Sequence, residues 1–548
     1  MSALKSAVIF IPAFRKHTRF QGDLLRKLEG KSLVQRAIDK AHLPHCSNKS
    51  IHLLTDSENI ALIGKRNRIG VFCSAETSLE NIGRDDKSRE YVDTAEQGKN
   101  LSVLLSPYAP LLNIDSLERA ANKFFQLEVR VLQPVRVAKR RVFYNSSTTC
   151  SSNLFGKKDE IYRIESQAFM LMQPGQLSHL GDQLVSIQPW DAGDDTFEIE
   201  TFQDWWVSEK LLRRKRIVFR VIGNNQVGMG HVYRALALAH ELQDHEVRFV
   251  TDTHSQVAVE SIIKRDHWLG IYPPERVIDE IIRLQPDMVI NDVLNTKKNE
   301  VERLKKSGSL TISFEDLGSG ARHTDLTVNE IYDVPQFRAK NVVWGREYFF
   351  LRDEFQLAHT HCFVKKARGI MLAFGGTDQH DLARKIFLAI RSLCDESNIF
   401  VHIVTGPGYR GYDRLMNEIE GNTQVSLTHG SEVISSIMEK VQLAITSNGR
   451  TVYEFAHMNI PAIVIAQHER EVTHAFASEQ NGFIPLGLYQ PGKTETEVVK
   501  GLKRLINDTP YREQLVNNMS LHQFTKNKEI VVDMIQTILD RSSKSLSV

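Results

Sequence analysis

Short apolar strands alternate with amphipathic helices along almost the whole of this chain, and this alternation constrains its fold more than any other feature. The strand pattern AVIFIP at 7–12 precedes the helical pattern SLVQRAIDKA at 32–41, and the strand pattern IHLLTD follows at 51–56. Strands that alternate with helices pair in parallel, because each crossover helix packs on a face of the sheet. The pattern therefore predicts an α/β chain with doubly wound parallel sheets.

Two breaks in the pattern indicate domain limits. A length of 548 residues corresponds to three or four folding units at roughly 150 residues each. A basic run, RRKR, at 213–216 leads directly into the strand IVFRVI, and a softer break lies near 346–368. We predict an N-terminal domain and two further α/β halves, with the limits 1–212, 213–350 and 365–548.

Composition argues against several classes of protein. Lys and Arg total 69 against 67 Asp and Glu, a formal net charge of +2, so the chain lacks the basic surplus usual in proteins that coat nucleic acid. No apolar run approaches the ~20 residues of a membrane span, and the N-terminus lacks the cleavage site of a signal peptide. The cysteines form no CxxC pair, which favours single thiols in the cytoplasm; they are Cys46, Cys73, Cys150, Cys362 and Cys394.

Three loops of the C-terminal region follow predicted strands and suit a nucleotide. Glycine lets the backbone approach a ligand, and backbone N–H and hydroxyl groups can receive a diphosphate. Two Rossmann-like halves that face each other bind such a ligand at the carboxyl ends of their strands. The candidate residues for binding the nucleotide phosphates are Gly228, Gly230, Gly375, Gly376, Thr377, Ser447, Asn448, Gly449 and Thr451. Glu454 is the candidate for binding the ribose hydroxyls.

His231 stands where the first of these loops enters a helix. An imidazole at that place can act as a general base near neutral pH. From its position alone, His231 is equally well a residue that packs in the turn, so both interpretations stay open.

An ordered series of motifs in the C-terminal region resembles a known family. The motifs are GMGHVYRALALA (228–239), INDV (290–293), SFEDLGSGARHTDLTVNE (313–330), WGREYFFLRDEF (344–355), FGGTD (374–378) and SNGRTVYE (447–454). They resemble the UDP-sugar hydrolase of the pseudaminic acid pathway and the spore-coat polysaccharide glycosyltransferase-like proteins, which share the glycosyltransferase B fold. The resemblance implies that His231 is the catalytic residue and that the loops at 375–377 and 447–454 bind UDP.

Departures from this family lie on the sugar side. Ile222 replaces a usual Asp, and Asn224 replaces a usual Ser. The family's Asn-Gln pair near the pyrophosphate is replaced by AQHEREVTHA at 466–475. The resemblance therefore implies a retained nucleotide site with changed sugar or pyrophosphate contacts, for which the candidates are Arg220, Asp292, Gln467, Arg470 and His474.

The N-terminal region resembles another family. Its segments IPAFRKHTRFQGDLLRKLEGKSL (11–33), HLLTDSENI (52–60), LLSPYAPLLNIDSLERA (104–120), YRIESQAFML (162–171) and FEIETFQDW (197–205) resemble the cytidylyltransferases that activate Kdo and sialic acids with CTP. The resemblance implies a nucleotidyltransferase (glycosyltransferase A-like) domain. It places a CTP site at Arg15, Arg19, Lys31 and Asp56, and Mg²⁺ at Glu198 and Glu200.

Two substitutions weaken that CTP site. The family's Arg after IPA is Phe14 here, and its Lys after the second loop glycine is Asp23. Each charge-assisted hydrogen bond to a phosphate contributes about 1.5–3 kcal/mol. We therefore expect a degenerate domain that is kept for binding or assembly, with a working CMP-sugar synthetase as the alternative.

The sequence thus predicts a nucleotide-sugar enzyme of nonulosonic (sialic-acid-like) or surface-polysaccharide synthesis. Its C-terminal region would transfer or hydrolyse the sugar of a UDP-sugar without a cofactor, and Mg²⁺ would be needed only by an active N-terminal domain. The alternatives are a bifunctional enzyme that also makes a CMP-sugar, and a non-catalytic nucleotide-sugar binding or scaffold protein. The sugar, the acceptor and the oligomeric state, including a homo-oligomer, stay open.

Overall fold

The computed structural model describes residues 4–42, 47–78, 82, 85–138, 162–179, 186–224, 227–431 and 433–545. The chain divides into two compact units, Met1–Arg214 and Lys215–Val548. Among the cysteines, Cys46 and Cys150 lie outside the described residues, whereas Cys73, Cys362 and Cys394 are free thiols.

The N-terminal unit is built on one mixed sheet. Its helices are α1 (Leu33–Ala41), α2 (Glu58–Arg66), α3 (Asp86–Glu96), α4 (Ile114–Leu127) and α5 (Phe202–Leu212). Its strands are β1 (Ala7–Pro12), β2 (Lys27–Leu28), β3 (Lys31–Ser32), β4 (Ile51–Thr55), β5 (Gly70–Cys73), β6 (Leu101–Leu105), β7 (Val131–Ala138), β8 (Tyr162–Glu165), β9 (Phe169–Met172) and β10 (Ile187–Asp191).

The main sheet of this unit has the order β10-β7-β9-β6-β1-β4-β5, with β8 paired to β7, and β2 and β3 form a separate ribbon. The central strand β1 is buried on both faces, as its continuous apolar sequence requires. Ile9 and Ile11 pack into one core, and Val8 and Phe10 pack into the other. The ends of the helices are fixed locally: Thr201 and Asp204 form a capping box at the start of α5.

The first half of the C-terminal unit is an all-parallel sheet with helices. The strands are β11 (Arg216–Val221), β12 (Glu246–Asp252), β13 (Trp268–Tyr272), β14 (Met288–Asp292), β15 (Leu310–Phe314), β16 (Leu326–Asn329) and β17 (Val342–Trp344). The helices are α6 (Gly230–Glu241), α7 (Gln256–Ile263), α8 (Val277–Arg283) and α9 (Lys298–Lys306). The sheet order is β13-β12-β11-β14-β15-β16-β17.

The second half repeats this architecture. The strands are β18 (Gly369–Ala373), β19 (Phe400–Thr405), β20 (Val425–His429), β21 (Leu443–Ser447), β22 (Ala462–Ala466) and β23 (Phe483–Leu488), in the order β20-β19-β18-β21-β22-β23. The helices are α10 (Leu382–Ser397), α11 (Tyr412–Ile419), α12 (Ser435–Met438), α13 (Thr451–His457), α14 (Glu469–Val472), α15 (Lys493–Asn507), α16 (Thr509–Met519) and α17 (Asn527–Ser545). Val531 and Ile535 of α17 pack into the core of the first half.

Strand order places the loops that matter for function. In the first half, β11 lies between β12 and β14, and in the second half β18 lies between β19 and β21. Successive strands are added on one side of β11 and β18 and then on the other side. The loops after these two strands therefore open into crevices where ligands bind. The predicted fold class, an α/β chain with a nucleotidyltransferase-like domain and two Rossmann-like halves, is confirmed.

Within the described part of the chain, no helix combines the length and apolar character that crossing a bilayer requires.

Candidate active site

A cavity of about 620 Å³ lies between the two halves of the C-terminal unit. Its walls come from the loops after β11, β18 and β21 and from α14, so the carboxyl ends of both sheets meet there. Most of the predicted site residues line it: Gly228, Gly230, His231, Gly375, Gly376, Thr377, Ser447, Gly449, Thr451, Glu454, Gln467, Arg470 and His474. These residues lie at the carboxyl ends of strands, in the loops that follow them or in or just after the first turns of the next helices.

His231 is held in one orientation by a buried carboxylate. It is the second residue of α6 and is 4% exposed, and its Nδ1 lies 2.5 Å from Oδ1 of Asp292. Arg234 Nη2 lies 3.0 Å from the same nitrogen. The ionised carboxylate of Asp292 can only accept a hydrogen bond, so we place the proton on Nδ1. Nε2 then carries the lone pair that a base needs.

Arg234 ties this pair to two further carboxylates. It is fully buried one turn after His231, and its Nε donates to Asp292 Oδ2 at 2.7 Å. Nη1 donates to Glu315 Oε2 at 3.2 Å and also to Glu330. Burial alone would raise the pKa of Asp292, but the charge of Arg234 holds it below its ordinary value. Asp292 therefore stays ionised and keeps His231 in place.

Glycines of each half lie close to residues of the other half. A Cβ on Gly376 would lie 3.2 Å from the backbone nitrogen of Met229, and a Cβ on Gly230 would lie 3.3 Å from Cδ of Arg450. Gly375 has a φ of +78°, which a larger residue adopts only with strain. Close packing between the loops is therefore sufficient to explain why glycine stands at 376 and 230. Close approach to a ligand is not needed to explain it.

No helix begins at the glycine pair Gly375–Gly376. The helix α10 starts at Leu382, and the carboxylate of Asp378 accepts from the N–H groups of Leu382 and Ala383 at 2.8 and 2.7 Å. Burial raises the pKa of Asp378 to about 6. Because Asp378 already binds these N–H groups, the end of α10 is not a diphosphate site, and the donors left there are those of the turn at 375–377.

The loop at the start of α13 has free donors. The first N–H groups of a helix lack intrahelical partners, and those of Gly449, Arg450 and Thr451 appear in none of the backbone hydrogen bonds that the structure describes. The side chains of Ser447 and Thr451 line the same wall of the cavity. These groups can receive a diphosphate without displacing an internal acceptor.

Glu454 lies one turn further along α13 and already has a cationic partner. Its Oε1 accepts from Nε of Arg352 at 2.9 Å, and the residue is 6% exposed. Burial alone would lower the pKa of Arg352, but the carboxylates of Glu454 and Glu354 raise it. Oε2 of Glu454 has no hydrogen bond within the described residues, so it can accept from a hydroxyl group.

Three of the predicted contacts do not face the cavity. Arg220 pairs with Glu300 at 2.7 Å, and Asp292 is 1% exposed behind His231. The side-chain amide of Asn448 donates to the backbone oxygens of Glu471 and His474. Each of the three side chains binds a partner within the protein, and none of them lines the cavity.

Several residues of the site were not foreseen from the sequence. Arg234 lies three residues after His231. This spacing places both residues on the same face of a helix, and it is visible in the sequence. Glu315 and Glu330 directly follow β15 and β16, inside the motif at 313–330. Arg450 stands within SNGRTVYE, and it donates to Glu330 and to the backbone oxygen of Phe350.

In the N-terminal unit, the loop that follows β1 has its backbone donors occupied by a side chain of the same loop. Asp23 is fully buried, and its carboxylate accepts from the N–H groups of Arg19 (2.8 Å) and Leu24 (2.6 Å) and from the hydroxyl of Tyr108 (2.9 Å). Phe14 is 3% exposed within the core around Val8. The two positions where the family carries cations therefore hold an internal anion and a core residue.

The remaining predicted CTP ligands are also engaged. Asp56 accepts from the N–H groups of Arg15 and Lys16 at 2.7 and 3.1 Å, and Lys31 pairs with Asp39 at 2.6 Å. Nη1 of Arg19 donates to the backbone oxygen of Ile199 at 2.6 Å. The described contacts of Asp56, Lys31 and Arg19 are therefore internal to the unit.

One of the two predicted Mg²⁺ ligands, Glu198, already has internal partners. Oε2 of Glu198 accepts from the N–H of Gln167 at 2.8 Å, and its Oε1 lies 3.4 Å from Nη2 of Arg19. Burial raises the pKa of Glu198, which disfavours the ionised form that a metal needs. Among the residues that the structure describes, no three His, Cys, Asp or Glu side chains are grouped to hold a metal.

Comparison with known proteins supports the resemblance drawn from the motifs. No family model matches the chain. The spore coat polysaccharide biosynthesis protein SpsG of Bacillus subtilis is 25% identical over 317 residues, which cover 55% of this chain and 90% of SpsG. The predicted similarity to spore-coat polysaccharide proteins is confirmed.

Solved structures of both expected kinds are similar to parts of the chain. Acinetobacter baumannii MurG covers 59% of this chain with 99% of its own, at 15% identity and a TM-score of 0.44. A CMP:2-keto-3-deoxy-manno-octonic acid synthetase complexed with CTP covers 38% of this chain with 98% of its own, at 12% identity and a TM-score of 0.29.

Proposed function

We propose that the C-terminal unit is an enzyme of the sugar-transfer kind, which moves a sugar from UDP to an acceptor hydroxyl during polysaccharide synthesis. The observation that carries this proposal is the His231–Asp292 pair, which faces free backbone donors across one cleft. The similarity to SpsG, a spore coat polysaccharide biosynthesis protein, supports the proposed setting.

The proposed reaction begins at Nε2 of His231. This nitrogen takes the proton of the acceptor O–H while the oxygen attacks the anomeric carbon of the sugar. The bond from that carbon to the diphosphate oxygen breaks, and UDP leaves with the electron pair. Asp292 stabilises the imidazolium that forms, as the carboxylate does in a Ser-His-Asp triad.

The leaving diphosphate gathers negative charge, and the second half offers donors for it. These are the N–H groups of the turn at 375–377 and of Gly449–Thr451, with the hydroxyls of Ser447 and Thr451. Donors fixed before the reaction stabilise developing charge without reorganisation. The proposed step uses no cofactor, so a chelator such as EDTA should leave its rate unchanged.

The experiment is a UDP-release assay on the full chain with a panel of UDP-sugars, run with and without candidate acceptor oligosaccharides. We expect UDP release that depends on the acceptor and a product with a new glycosidic bond. Release of free sugar at the same rate without an acceptor would show water as the nucleophile and would replace transfer by hydrolysis. No UDP release from any donor, with no UDP binding, would overturn the proposal.

We further propose that the N-terminal unit does not transfer cytidylyl groups. The internal ligation of the Asp23 carboxylate and the burial of Phe14 support this. Full-length protein with CTP, Mg²⁺ and either Kdo or a sialic acid should release no pyrophosphate above background. Clear pyrophosphate release would restore the CMP-sugar synthetase alternative.

A further inference from the structure

Glu330 lies where the two halves of the C-terminal unit meet, and it contacts both. It directly follows β16 of the first half and is fully buried. Its Oε1 accepts hydrogen bonds from Nη1 of Arg234, on the helix of the proposed base, and from Nη1 of Arg450, the residue before α13 of the second half. One buried carboxylate oxygen therefore binds an arginine from each half.

Arg234 connects Glu330 to the proposed base. Nε of Arg234 donates to Oδ2 of Asp292 at 2.7 Å, and its Nη2 lies 3.0 Å from Nδ1 of His231. Nη1, on the other branch of the guanidinium, donates to Glu330 and to Oε2 of Glu315, the latter at 3.2 Å. A guanidinium is planar and its donors form a fixed fork, so carboxylates on both edges fix its plane. Through Arg234, Glu330 therefore helps to fix the position of His231.

Arg450 connects Glu330 to the loop that would hold the leaving group. Its backbone N–H is one of the donors at the start of α13 that the proposed reaction uses for the diphosphate. Its side chain reaches Phe350, which packs into the core of the first half, and Nη2 donates to the backbone oxygen of Phe350 at 3.1 Å. A Cβ on Gly230 would lie 3.3 Å from Cδ of Arg450, so this side chain also packs on the start of the helix that carries His231.

The charges of the two arginines require a carboxylate between them. Burial lowers the pKa of Arg450, the carboxylate of Glu330 opposes this change, and the charge of Arg234 adds to it. A buried charge that loses its partner is costly, and two guanidinium groups without a shared carboxylate repel each other. Without the charge of Glu330, Arg450 and Arg234 should therefore move apart, and Arg234 would lose one of the carboxylates that fix its plane.

We propose that Glu330 is a positioning residue for the transfer step, and that it keeps His231 aligned only while Arg450 of the second half is docked against the first half. The base lies on one half and the donors for the diphosphate lie on the other, so the reaction needs the two halves at a fixed separation. Misplacement of reacting groups by about 1 Å can cost about 10²-fold in rate. This inference rests on the proposed function, because it assumes that His231 is the base.

The test combines a steady-state UDP-release assay with a UDP titration, both on the full chain. Glu330→Gln keeps the size of the side chain and an accepting oxygen but removes the charge. We expect kcat at saturating donor sugar to fall about 10²-fold, whereas the dissociation constant and the stoichiometry of UDP binding stay within about twofold of the wild type. A purely structural role would instead lower the number of UDP sites and leave kcat per site unchanged.

Glu246→Gln is the matched control for this variant. Glu246 also binds two arginines, because its Oε2 accepts from Nε of Arg216 at 3.1 Å and its Oε1 pairs with Arg248. It is the first residue of β12 and so lies at the end of the sheet opposite the cleft. Glu246→Gln should therefore keep the wild-type kcat.

A double variant tests the link between the halves. Arg450→Met combined with Glu330→Gln removes one positive and one negative charge, so the buried charge stays balanced. The effects of independent sites multiply in rate, whereas effects that act through one contact do not. We expect the double variant to be no slower, within about threefold, than the slower of the two single variants. Should Glu330→Gln fail to fold, the double variant takes its place in the comparison with the wild type.

Three results would overturn the inference and leave the proposed function standing. The first is a kcat within about threefold of the wild type in the variant that folds. The second is a fall in the number of UDP sites that accounts for all of the lost turnover. The third is a double variant in which the two single effects multiply. A wild-type protein that neither binds UDP nor releases it from any donor would overturn both the inference and the proposed function.

Discussion

The N-terminal loop after β1 and the C-terminal loop before α13 both follow a buried parallel strand, and both carry glycine and charged residues. In the first, the carboxylate of Asp23 binds the N–H groups of Arg19 and Leu24. In the second, the N–H groups of Gly449 and Thr451 bind none of the described backbone acceptors. The comparison teaches that a loop binds an anion only where the protein has left its donors free, whatever the sequence pattern resembles.

The largest expected effect concerns the catalytic residue of the C-terminal cleft. His231→Asn removes the base but keeps one hydrogen bond, so turnover should fall about 10²–10⁴-fold while the affinity for UDP stays nearly unchanged. His240→Asn, on the exposed side of the same helix, is the control. A steady-state assay that finds wild-type turnover in His231→Asn would make His231 a structural residue and leave His474 as the next candidate.

The next effect concerns the stability of the closed N-terminal loop. Asp23→Ala leaves several buried donors without an acceptor, and we expect its free energy of unfolding to fall by about 3 kcal/mol. Urea unfolding followed by fluorescence measures the change, and Asp39→Ala at an exposed pair serves as the control. An unchanged midpoint would mean that the Asp23 hydrogen bonds do not hold the loop closed.

A smaller effect is a pH dependence in the cleft. Burial raises the pKa of Glu471 from 4.5 to about 7. Folding therefore disfavours its ionised form, and the stability present near pH 4.5 is lost as the pH rises through 7. The loss should be at most about 3 kcal/mol. Thermal unfolding of Glu471→Gln should show a flatter pH profile than the wild type; parallel profiles would contradict this.

The smallest effect concerns the ribose contact. Glu454→Ala should raise the dissociation constant of UDP at least tenfold, about 1.4 kcal/mol, because the free Oε2 of Glu454 is lost. Titration calorimetry gives the value, and Glu497→Ala on the exposed face of α15 should bind UDP like the wild type. An unchanged constant in Glu454→Ala would remove the ribose assignment.

The alternation of strands and helices was enough to predict the fold. The continuous apolar runs of β18 and β22 are buried throughout, as central parallel strands must be. The position of the cavity followed from the same pattern, because the carboxyl ends of parallel strands meet at one edge.

The use of individual polar side chains could not be predicted in the same way. The sequence predicts that Asp292 contacts the ligand, but its carboxylate binds His231. No sequence pattern predicts that Asp378 caps α10. Whether a buried carboxylate meets a ligand or an internal donor depends on distances across the fold. A sequence of one chain does not contain them.

The central claim is that nucleotide binding belongs to the C-terminal cleft and has been lost from the N-terminal loop. Titration of the intact chain with UDP and, separately, with CTP and Mg²⁺ tests it most directly, with Glu454→Ala and Asp23→Ala as reporters for the two places. We predict that UDP binds with one site per chain, that Glu454→Ala weakens it, and that CTP binds at least 100-fold more weakly. Tighter binding of CTP than of UDP, with an affinity that changes in Asp23→Ala and does not change in Glu454→Ala, would contradict the account.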